Sequence, residues 1–226
     1  MSEYQKIDNP FKRDTSTHRV TEGLWSSPAL EFTADCPWEF TEKVDGTNIR
    51  VTYPNEQGGI TVQGKTDRAQ LKQDLIEAVH ASFNLDTLRE KCASATVEEP
   101  IIFYGEGYGP GIQAVGTRYA PTKRFICFDV RVGRFWLRRG DVLGLGGALG
   151  FEVVPVVIEG TIRDAIAYVR GQPASLVARL NWQPELPKLF CPLEGVVGRP
   201  KGCDLFDRMG GRLIVKVKAR DFGGAA

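Results

Sequence analysis

A lysine at the head of a tight turn is the first group in this chain that could act as a nucleophile. The stretch Glu42-Lys43-Val44-Asp45-Gly46-Thr47-Asn48-Ile49-Arg50 places Lys43 just before an Asp-Gly turn, with an arginine on the returning strand. Far downstream, Glu194 supplies a carboxylate, and Lys216 and Lys218 supply two more cations. A nucleophilic amine, phosphate-binding cations and a carboxylate suit covalent transfer of a nucleoside monophosphate to an amine.

The lysines need one another for this chemistry. An amine attacks phosphorus only when unprotonated, and a free lysine is almost fully protonated near neutral pH. Nearby cations or a divalent metal lower a lysine pKa, so Arg50, Lys216 and Lys218 are candidate neighbours of Lys43 if their strands converge. Lys216 and Lys218 are two apart on a predicted strand and therefore face the same side. The alternative for this pair is a solvated strand edge, where lysines block aggregation.

Two further side chains have both a structural and a functional interpretation. Glu194 lies in an otherwise apolar stretch, where a carboxylate is costly to bury unless it is paired or binds a metal. A salt bridge to one of the lysines is the alternative. Phe128 lies within a predicted buried strand and is either a core residue or a face on which a purine base stacks. The glycine-rich run 105–111 lacks the Lys-Ser/Thr ending of a P-loop, and composition favours a simple glycine turn.

The N-terminal segment mixes basic and aromatic residues. Such a segment could contact phosphates, but a solvated arm is the default expectation. The residues concerned are Tyr4, Lys6, Phe11, Lys12 and Arg13.

Composition describes an ordinary globular chain. It has 226 residues, 42% hydrophobic and 25% charged, with a formal net charge of +1. A strongly basic nucleic-acid binder is not visible in that total, although local patches can exist within it. There is no apolar run of about 18 residues and no signal-peptide pattern, which predicts a cytoplasmic protein without a membrane partner. Five cysteines without a CxxC pair and only two histidines indicate reduced, mostly buried thiols and make a structural zinc site improbable.

Hydrophobic periodicity predicts a mixture of strands and helices. Hairpin connections outnumber helical crossovers in the first half, which favours an antiparallel-rich α+β fold over a doubly wound parallel sheet. Predicted strands are 38–43, 49–53, 60–62, 101–104, 124–131, a return strand at 136–137, 153–158, and those carrying Glu194 and Lys216. Predicted helices are 68–83, 85–92, 162–170 and 174–180, and the glycine-rich segment 140–150 has only weak helical signal.

Five short blocks occur in one order along the chain. They are Lys43-x-Asp45-Gly46, Tyr104-Gly105-Glu106, Phe128-Asp129, Glu194-Gly195-Val196-Val197 and Lys216-x-Lys218. This order resembles the covalent nucleotidyltransferase superfamily, which comprises ATP-dependent ligases and mRNA capping enzymes. Within it, the chain is most similar to the double-strand, nick-sealing RNA ligases of bacteriophages and kinetoplastid editing complexes. The specific match is Gly105-Glu106-x-x-Gly109-Pro110-Gly111-Ile112-Gln113 together with Gly46-Thr47-Asn48.

The resemblance implies roles for the catalytic residues. Lys43 would take AMP from ATP. Glu194 would hold Mg²⁺ or Mn²⁺, directly or through water. Lys216 and Lys218 would grip the α-phosphate and favour the departure of pyrophosphate.

The resemblance also implies two sets of binding residues. Within the first set Glu106 would bind the ribose hydroxyls, Phe128 would stack on adenine, and Asn48 and Arg50 would contact ribose or phosphate. The nucleotide-binding set is Glu42, Asn48, Arg50, Glu106 and Phe128. The second set would contact nucleic-acid phosphates, and its members are Lys65, Arg68 and Gln113.

At the level of the whole chain, the resemblance implies an adenylyltransferase fold of antiparallel-rich sheets around a nucleotide cleft, flanked by helices. We expect a single domain over 1–222, a frayed tail at 223–226, no appended C-terminal domain and a possible helper protein in its place. The implied activity is ATP-dependent joining of RNA 5′-phosphate and 3′-hydroxyl ends, on nicked duplex, through a lysine–AMP intermediate. The alternatives are a GMP-transferring capping-type enzyme, a DNA ligase and a non-catalytic nucleic-acid-binding relative. Asp45 departs from some phage relatives, which carry histidine at this position.

Overall fold

The computed structural model describes residues 3–182 and 190–223. Within them the strands are β1 (Phe11–Arg13), β2 (Val20–Trp25), β3 (Trp38–Lys43), β4 (Thr47–Tyr53), β5 (Thr61–Gly64), β6 (Ile101–Tyr108), β7 (Arg124–Val132), β8 (Phe135–Trp136), β9 (Glu152–Val153), β10 (Val156–Gly160), β11 (Gly195–Pro200) and β12 (Val215–Lys218). The helices are α1 (Pro28–Phe32), α2 (Gln73–Ala81), α3 (Leu85–Lys91), α4 (Gly116–Tyr119), α5 (Arg139–Leu149), α6 (Ile162–Arg170) and α7 (Leu176–Asn181). Most of the predicted frayed tail lies outside the described residues.

The chain divides into two compact units, each built from separate stretches of sequence. Unit 1 contains the residues up to Tyr4 and Asp45–Val154, and unit 2 contains Gln5–Val44 and Pro155–Ala226. The strand predicted over 153–158 is therefore two strands, because the chain leaves unit 1 after Val154. β9 belongs to unit 1 and β10 to unit 2.

Unit 2 is organised by a four-stranded antiparallel sheet in the order β10-β3-β11-β12. Strand β3 alternates as its sequence predicts, with Trp38 and Phe40 fully buried on one face. Helix α6 packs against the same core through residues at helical spacing, Ile162, Ala165, Ile166 and Val169. A reciprocal capping box between Thr161 and Asp164 fixes where this helix begins.

Unit 1 is organised by a six-stranded sheet in which β5-β4-β6-β7-β8 run antiparallel and β9 pairs with β7 in parallel. One face of this sheet, including Ile49, Val51 and Phe103, is buried in the core with helices α2, α3 and α5. The opposite face carries the polar side chains of β4 and β6, because successive residues of a strand point to opposite sides.

Two glycine-rich segments of unit 1 are more regular than the sequence predicts. The predicted turn after Tyr104 is a continuation of β6 to Tyr108. There Gly105 is needed because a Cβ would lie 2.3 Å from the Phe125 ring. The segment 140–150, which has only a weak helical signal, forms most of helix α5. Its Gly146 permits close packing, since a Cβ would lie 2.6 Å from Val153 Cγ2.

The predicted α+β, antiparallel-rich class is confirmed: among the named strands, only the β7–β9 pair is parallel. No helix in the described part of the chain is long and apolar enough to cross a membrane. All five cysteines are free thiols, of which Cys92, Cys127 and Cys191 are buried and Cys36 and Cys203 are exposed.

Candidate active site

The predicted nucleophile lies at the end of β3, beside the carboxylate predicted to bind metal. Lys43 pairs with Gly195 across the β3–β11 ladder, and Glu194 immediately precedes Gly195. The Lys43 Nζ donates to Glu194 Oε2 at 2.5 Å, and the two side chains are 24% and 20% exposed. The strand register therefore holds an amine and a carboxylate together at a position that solvent still reaches.

The same carboxylate binds a second lysine. Lys218 Nζ lies 3.0 Å from Glu194 Oε1, so each oxygen of Glu194 pairs with a different ammonium group. Lys218 pairs with Gly195 on the other side of β11. Lys43, Gly195 and Lys218 thus form one row across three strands, and the side chains of this row lie on one face of the sheet.

Lys216 completes this lysine cluster, which we define as Lys43, Glu194, Lys216 and Lys218. It is two residues before Lys218 on β12 and faces the same side. Burial lowers the pKa of Lys216, and the positive charges of Lys218 and Lys43 lower this pKa further. Three cations around one carboxylate leave an excess of positive charge, which suits an anionic ligand such as a polyphosphate.

Gly195 allows this row to form, although the sequence analysis gave it no separate role. A Cβ at Gly195 would lie 2.3 Å from the Val217 carbonyl oxygen and 2.8 Å from the Lys218 Cα. β11 and β12 therefore approach more closely here than any side chain would permit. The signal in the sequence was a glycine inside an apolar strand, which often marks close approach of another backbone.

Glu42, a predicted nucleotide ligand, points away from the lysine cluster. It is 2% exposed and lies on the buried face of β3. Its carboxylate accepts hydrogen bonds from Ser175 Oγ at 2.5 Å, Leu176 N at 2.8 Å and Val177 N at 3.0 Å. Burial raises the pKa of Glu42, and these hydrogen bonds partly oppose the shift. The geometry favours anchoring of helix α7 over contact with a nucleotide for this side chain.

The other predicted nucleotide ligands lie in unit 1, on the polar face of its sheet. Asn48 pairs with Glu106 across the β4–β6 ladder, and Arg50 pairs with Tyr104. Arg50 is 1% exposed. Its Nε donates to the Gly64 carbonyl at 2.9 Å. Its Nη2 contacts Asp67 Oδ1 at 2.7 Å, which lowers the pKa of Asp67.

Phe128 is the additional residue of a β-bulge in β7. Asp129 pairs with Tyr104 and Cys127 with Gly105, so Phe128 is the extra residue between these two register pairs. Bulges redirect side chains and are common beside active sites. The Phe128 ring is half-buried and meets Tyr4 edge to face, with centroids 5.0 Å apart.

The expected solvated N-terminal arm is wrong for Tyr4, which is 8% exposed. Its hydroxyl donates to Asp129 Oδ2 at 2.8 Å, and its ring contacts Tyr104 at 5.1 Å and Trp136 at 5.7 Å. Tyr4 therefore packs against one side of Phe128, a contact that sequence reasoning missed because it spans more than a hundred residues.

The three predicted nucleic-acid contacts occupy exposed positions in unit 1. Lys65 and Arg68 lie in the loop between β5 and α2, whose Asp67 is bound by Arg50. Gln113 donates through Nε2 to the Gly46 carbonyl at 2.8 Å, and so contacts the turn that follows Lys43 in sequence. The neighbouring Asp45 amide donates to the Tyr119 hydroxyl at 3.4 Å.

The donor set of the lysine cluster fits a divalent metal of the Mg²⁺ type. Such ions commonly use one or two carboxylates and complete their coordination with water and substrate phosphate oxygens. Glu194 is a half-buried carboxylate beside a cationic, phosphate-suited surface. Within the described residues no group of three or more His, Cys, Asp or Glu side chains could form a cage made only of protein ligands.

Comparisons with known proteins identify a family and a fold. The RNA ligase family model matches residues 36–218. No curated protein matches the sequence. A Naegleria gruberi RNA ligase mutant with ATP and Mn is 16% identical, with a TM-score of 0.62, over 96% of this chain and 56% of that chain. An apo mutant of that ligase is 15% identical, with a TM-score of 0.60, over 98% and 58%.

A third Naegleria gruberi structure, with PPi, is 16% identical, with a TM-score of 0.58, over 85% of this chain and 52% of that chain. The present chain thus spans between 52% and 58% of the length of these three solved structures. At such identities the likeness shows the fold.

Proposed function

Because the chain belongs to the RNA ligase family, we propose that it joins RNA 5′-phosphate and 3′-hydroxyl ends through a covalent lysine–AMP intermediate formed from ATP. The observation that carries this proposal is the lysine cluster, in which Lys43 meets Glu194 at 2.5 Å with Lys218 on the other oxygen of the carboxylate. This amine is reachable from solvent and lies with two further lysines, which suits attack on an anionic phosphate.

In the first step, Lys43 Nζ attacks the α-phosphorus of ATP. An N–P bond forms, the bond between the α-phosphorus and the bridging oxygen breaks, and pyrophosphate leaves with the electron pair. The amine loses a proton, and Glu194 Oε2 is within hydrogen-bond distance to accept it. Lys216 and Lys218 neutralise the charge that develops on the phosphate oxygens, which is the main source of catalysis in phosphoryl transfer.

A divalent metal held by Glu194 would neutralise phosphate charge and orient the leaving group. Glu194 would hold this ion, directly or through water. Mg²⁺ and Mn²⁺ both favour such oxygen ligands.

The nucleoside roles in unit 1 are part of the proposal. Phe128 stacks on adenine, a role that its position at a bulge and its contact with Tyr4 support. Glu106 and Asn48, paired across β4 and β6, bind the ribose. Arg50 holds the loop that carries Lys65 and Arg68.

In the later steps AMP passes from Lys43 to the RNA 5′-phosphate, and the 3′-hydroxyl then displaces AMP. Lys65, Arg68 and Gln113 are exposed and are proposed to contact the RNA, with nicked duplex as the substrate. Phosphate contacts of this kind make RNA binding weaken steeply as salt increases. Binding that is insensitive to salt would contradict this assignment.

Incubation with ATP labelled at the α-phosphate, followed by denaturing gel electrophoresis, tests the first step. We expect label on the wild-type protein and none on Lys43→Ala. Lys201→Ala is the matched control, since Lys201 is an exposed lysine of the same unit that pairs with Glu159. Label that persists in Lys43→Ala, or no label on wild type with Mg²⁺ or Mn²⁺, would refute the proposal.

Competition and substrate assays separate the related activities. Unlabelled ATP should suppress labelling, whereas GTP should not; suppression by GTP would indicate a capping-type transfer. Release of AMP on addition of a nicked RNA duplex, with sealing of the strand, would support the complete reaction. If the protein seals nicked DNA as well as it seals nicked RNA, the proposed preference for RNA is refuted.

A further inference from the structure

The segment that precedes β1 forms an additional edge beside β12 in unit 2. The Gln5 side chain donates to the Arg212 carbonyl at 2.7 Å and accepts from the Arg212 amide at 3.0 Å. Three residues later, the Asp8 carbonyl accepts from the Lys216 amide at 2.9 Å, and Asp8 forms a parallel bridge with β12. Because both anchors advance in the direction of β12, the segment 5–8 lies alongside that strand and the residues just before it.

Lys6 lies between these two anchors. The contacts of Gln5 and Asp8 fix the backbone on either side of it, whereas its own side chain is exposed. The pKa of Lys216 is lowered mainly by burial and by the other lysines of the cluster, and the positive charge of Lys6 adds to this shift. The carboxylate of Asp8 opposes it. The Lys6 ammonium group therefore belongs to the electrostatic surroundings of Lys216.

Lys6 and Lys216 differ from the other two lysines in their partners. Lys43 and Lys218 each bind one oxygen of Glu194. Among residues 3–182 and 190–223, no side chain forms a hydrogen bond or an ion pair with the ammonium group of Lys6 or Lys216. The carboxylate of the neighbouring Asp8 offsets part of their charge, and a bound polyanion would offset the rest.

The order of the strands indicates which phosphates Lys6 would reach. Across the sheet, Lys43 lies on β3, β11 comes next, and β12 follows with the segment 5–8 on its far side. In phosphoryl transfer the attacking and leaving groups are roughly in line, on opposite sides of the phosphorus. With the α-phosphate held by Lys216 and Lys218 on β12, pyrophosphate leaves towards the edge where Lys6 lies.

We infer that Lys6 is a further substrate-binding residue of the active site, which binds the β- and γ-phosphates of ATP and the pyrophosphate that leaves. The inference rests on the proposed function, since it takes ATP as the substrate and Lys43 as the nucleophile. A cation at this position acts where negative charge develops on the leaving group. An RNA backbone is the other polyanion that an exposed lysine could meet, and the test separates the two.

Binding is measured by calorimetry with Mg²⁺ in the Lys43→Ala background, so that it is separated from covalent transfer. The ligands are ATP, pyrophosphate and AMP, because AMP lacks the phosphates assigned to Lys6. Lys6→Met removes the charge and keeps the length of the side chain, whereas Lys6→Arg keeps the charge. Lys12→Met is the matched control, since Lys12 is an exposed lysine six residues later, on β1.

We expect Lys6→Met to weaken the binding of ATP and pyrophosphate by about 10-fold, the loss typical of one charge-assisted hydrogen bond, and to leave AMP binding unchanged. Lys6→Arg and Lys12→Met should bind all three ligands as the Lys43→Ala parent does. Equal weakening of AMP, or unchanged binding of ATP and pyrophosphate, would overturn the inference. Weaker binding of a nicked RNA duplex by Lys6→Met with unchanged ATP binding would assign Lys6 to RNA phosphates instead.

A kinetic test uses Lys6→Met with Lys43 intact. Pyrophosphate added at low concentration to the isolated lysine–AMP protein should re-form ATP about 10-fold more slowly than in wild type. Transfer of AMP to nicked RNA, in which pyrophosphate takes no part, should be unchanged, and equal slowing of both steps would overturn the inference.

Failure of the inference and failure of the proposed function give different results. Wild-type protein that takes no covalent label, although Lys6→Met weakens its binding of ATP and pyrophosphate, would refute the proposed transfer and leave the phosphate contact of Lys6 standing. Label on wild type, together with ATP and pyrophosphate binding that Lys6→Met does not change, would refute the inference alone.

Discussion

The lysine cluster of unit 2 and the polar sheet face of unit 1 satisfy their polar groups in different ways. In the cluster, Glu194 joins Lys43 and Lys218 by ion pairs to its two oxygens. On the sheet face, Arg50 and Gln63 keep hydrogen-bonding atoms that no described residue satisfies. The proposed nucleophile is therefore held by the protein's own charges, whereas the sheet face keeps buried hydrogen-bonding atoms that no described residue satisfies.

This difference predicts how variants of the two regions should behave. Substitutions in the cluster should change the rate of transfer and the stability together, because the charged groups support one another. Substitutions on the sheet face should act mainly on nucleotide affinity.

Glu194→Ala should give the largest effect. It removes the proposed metal ligand and leaves three lysines close together without their shared carboxylate, so self-adenylylation should fall by more than about 10³-fold. The melting temperature should fall as well. Labelling with ATP and thermal unfolding measure the two effects, with Glu159→Gln as an exposed acidic control. Activity close to that of wild type would show that Glu194 only holds Lys43.

Lys216→Met should lower adenylylation by about 10²–10³-fold, since one phosphate-binding cation is lost. Its effect on stability should have the opposite sign to that of Glu194→Ala. The pKa of Lys216 is lowered in the folded protein by burial and by Lys218 and Lys43. The unfolded chain therefore binds the proton more tightly, and this ammonium group destabilises the folded state at neutral pH.

The pH dependence of the free energy of unfolding follows from the lowered pKa of Lys216. Stability should increase as pH rises from the lowered pKa of Lys216 towards the ordinary lysine value of about 10.4. Lys216→Met should remove this contribution and be slightly more stable at pH 7. Denaturant unfolding at several pH values measures both, and a Lys216→Met protein that is less stable at pH 7 would contradict the assignment.

Phe128→Ala should raise the KM for ATP by about 10–100-fold, the range expected for loss of one base-stacking contact. The rate at saturating ATP should change far less, because Phe128 belongs to unit 1 and not to the lysine cluster. Phe128→Leu should give an intermediate KM. A fall in kcat with an unchanged KM would contradict the view that the sheet face of unit 1 sets nucleotide affinity while the lysine cluster sets the rate.

Glu42→Gln should give the smallest effect on activity, although the residue is adjacent to Lys43. A glutamine can accept from the Leu176 and Val177 amides and donate to Ser175 Oγ, and it avoids the cost of a buried charge. Glu42→Ala should lower the free energy of unfolding by about 2–4 kcal/mol, since buried donors of α7 lose their acceptor. A large loss of ATP affinity in a stably folded Glu42→Gln protein would restore its predicted nucleotide role.

Local sequence patterns were sufficient for many of the elements. Alternation identified β3, and hydrophobic periodicity identified α6. The same alternation also indicates that Glu42 is buried, because Glu42 is two residues after Phe40 and four after Trp38 and so faces the same side of the strand as these buried residues. Glu42 is charged and adjacent to Lys43, and it was therefore interpreted as a nucleotide ligand. Because successive residues of a strand face opposite sides, it lies on the face opposite to Lys43.

The remaining features depend on contacts between distant residues. The continuation of β6 and the packing of α5 involve glycines that fit closely against Phe125 and Val153. The two units are discontinuous in sequence, because β3 pairs with β11 rather than with its neighbour β4. The resemblance in motif order indicated that Lys43, Glu194 and Lys218 belong together, whereas Tyr4 and Gln63 have no motif to mark them.

The pairing of β3 with β11 has a consequence for biosynthesis. Lys43 emerges from the ribosome early, and Glu194 follows it 151 residues later. Contacts of such long sequence separation form late in folding, because a long loop must close first. The segment Asp45–Val154 of unit 1 is by then already synthesised. The lysine cluster is therefore among the last features that a newly made chain acquires, because Lys216 and Lys218 lie on β12, the last strand of the chain's described residues.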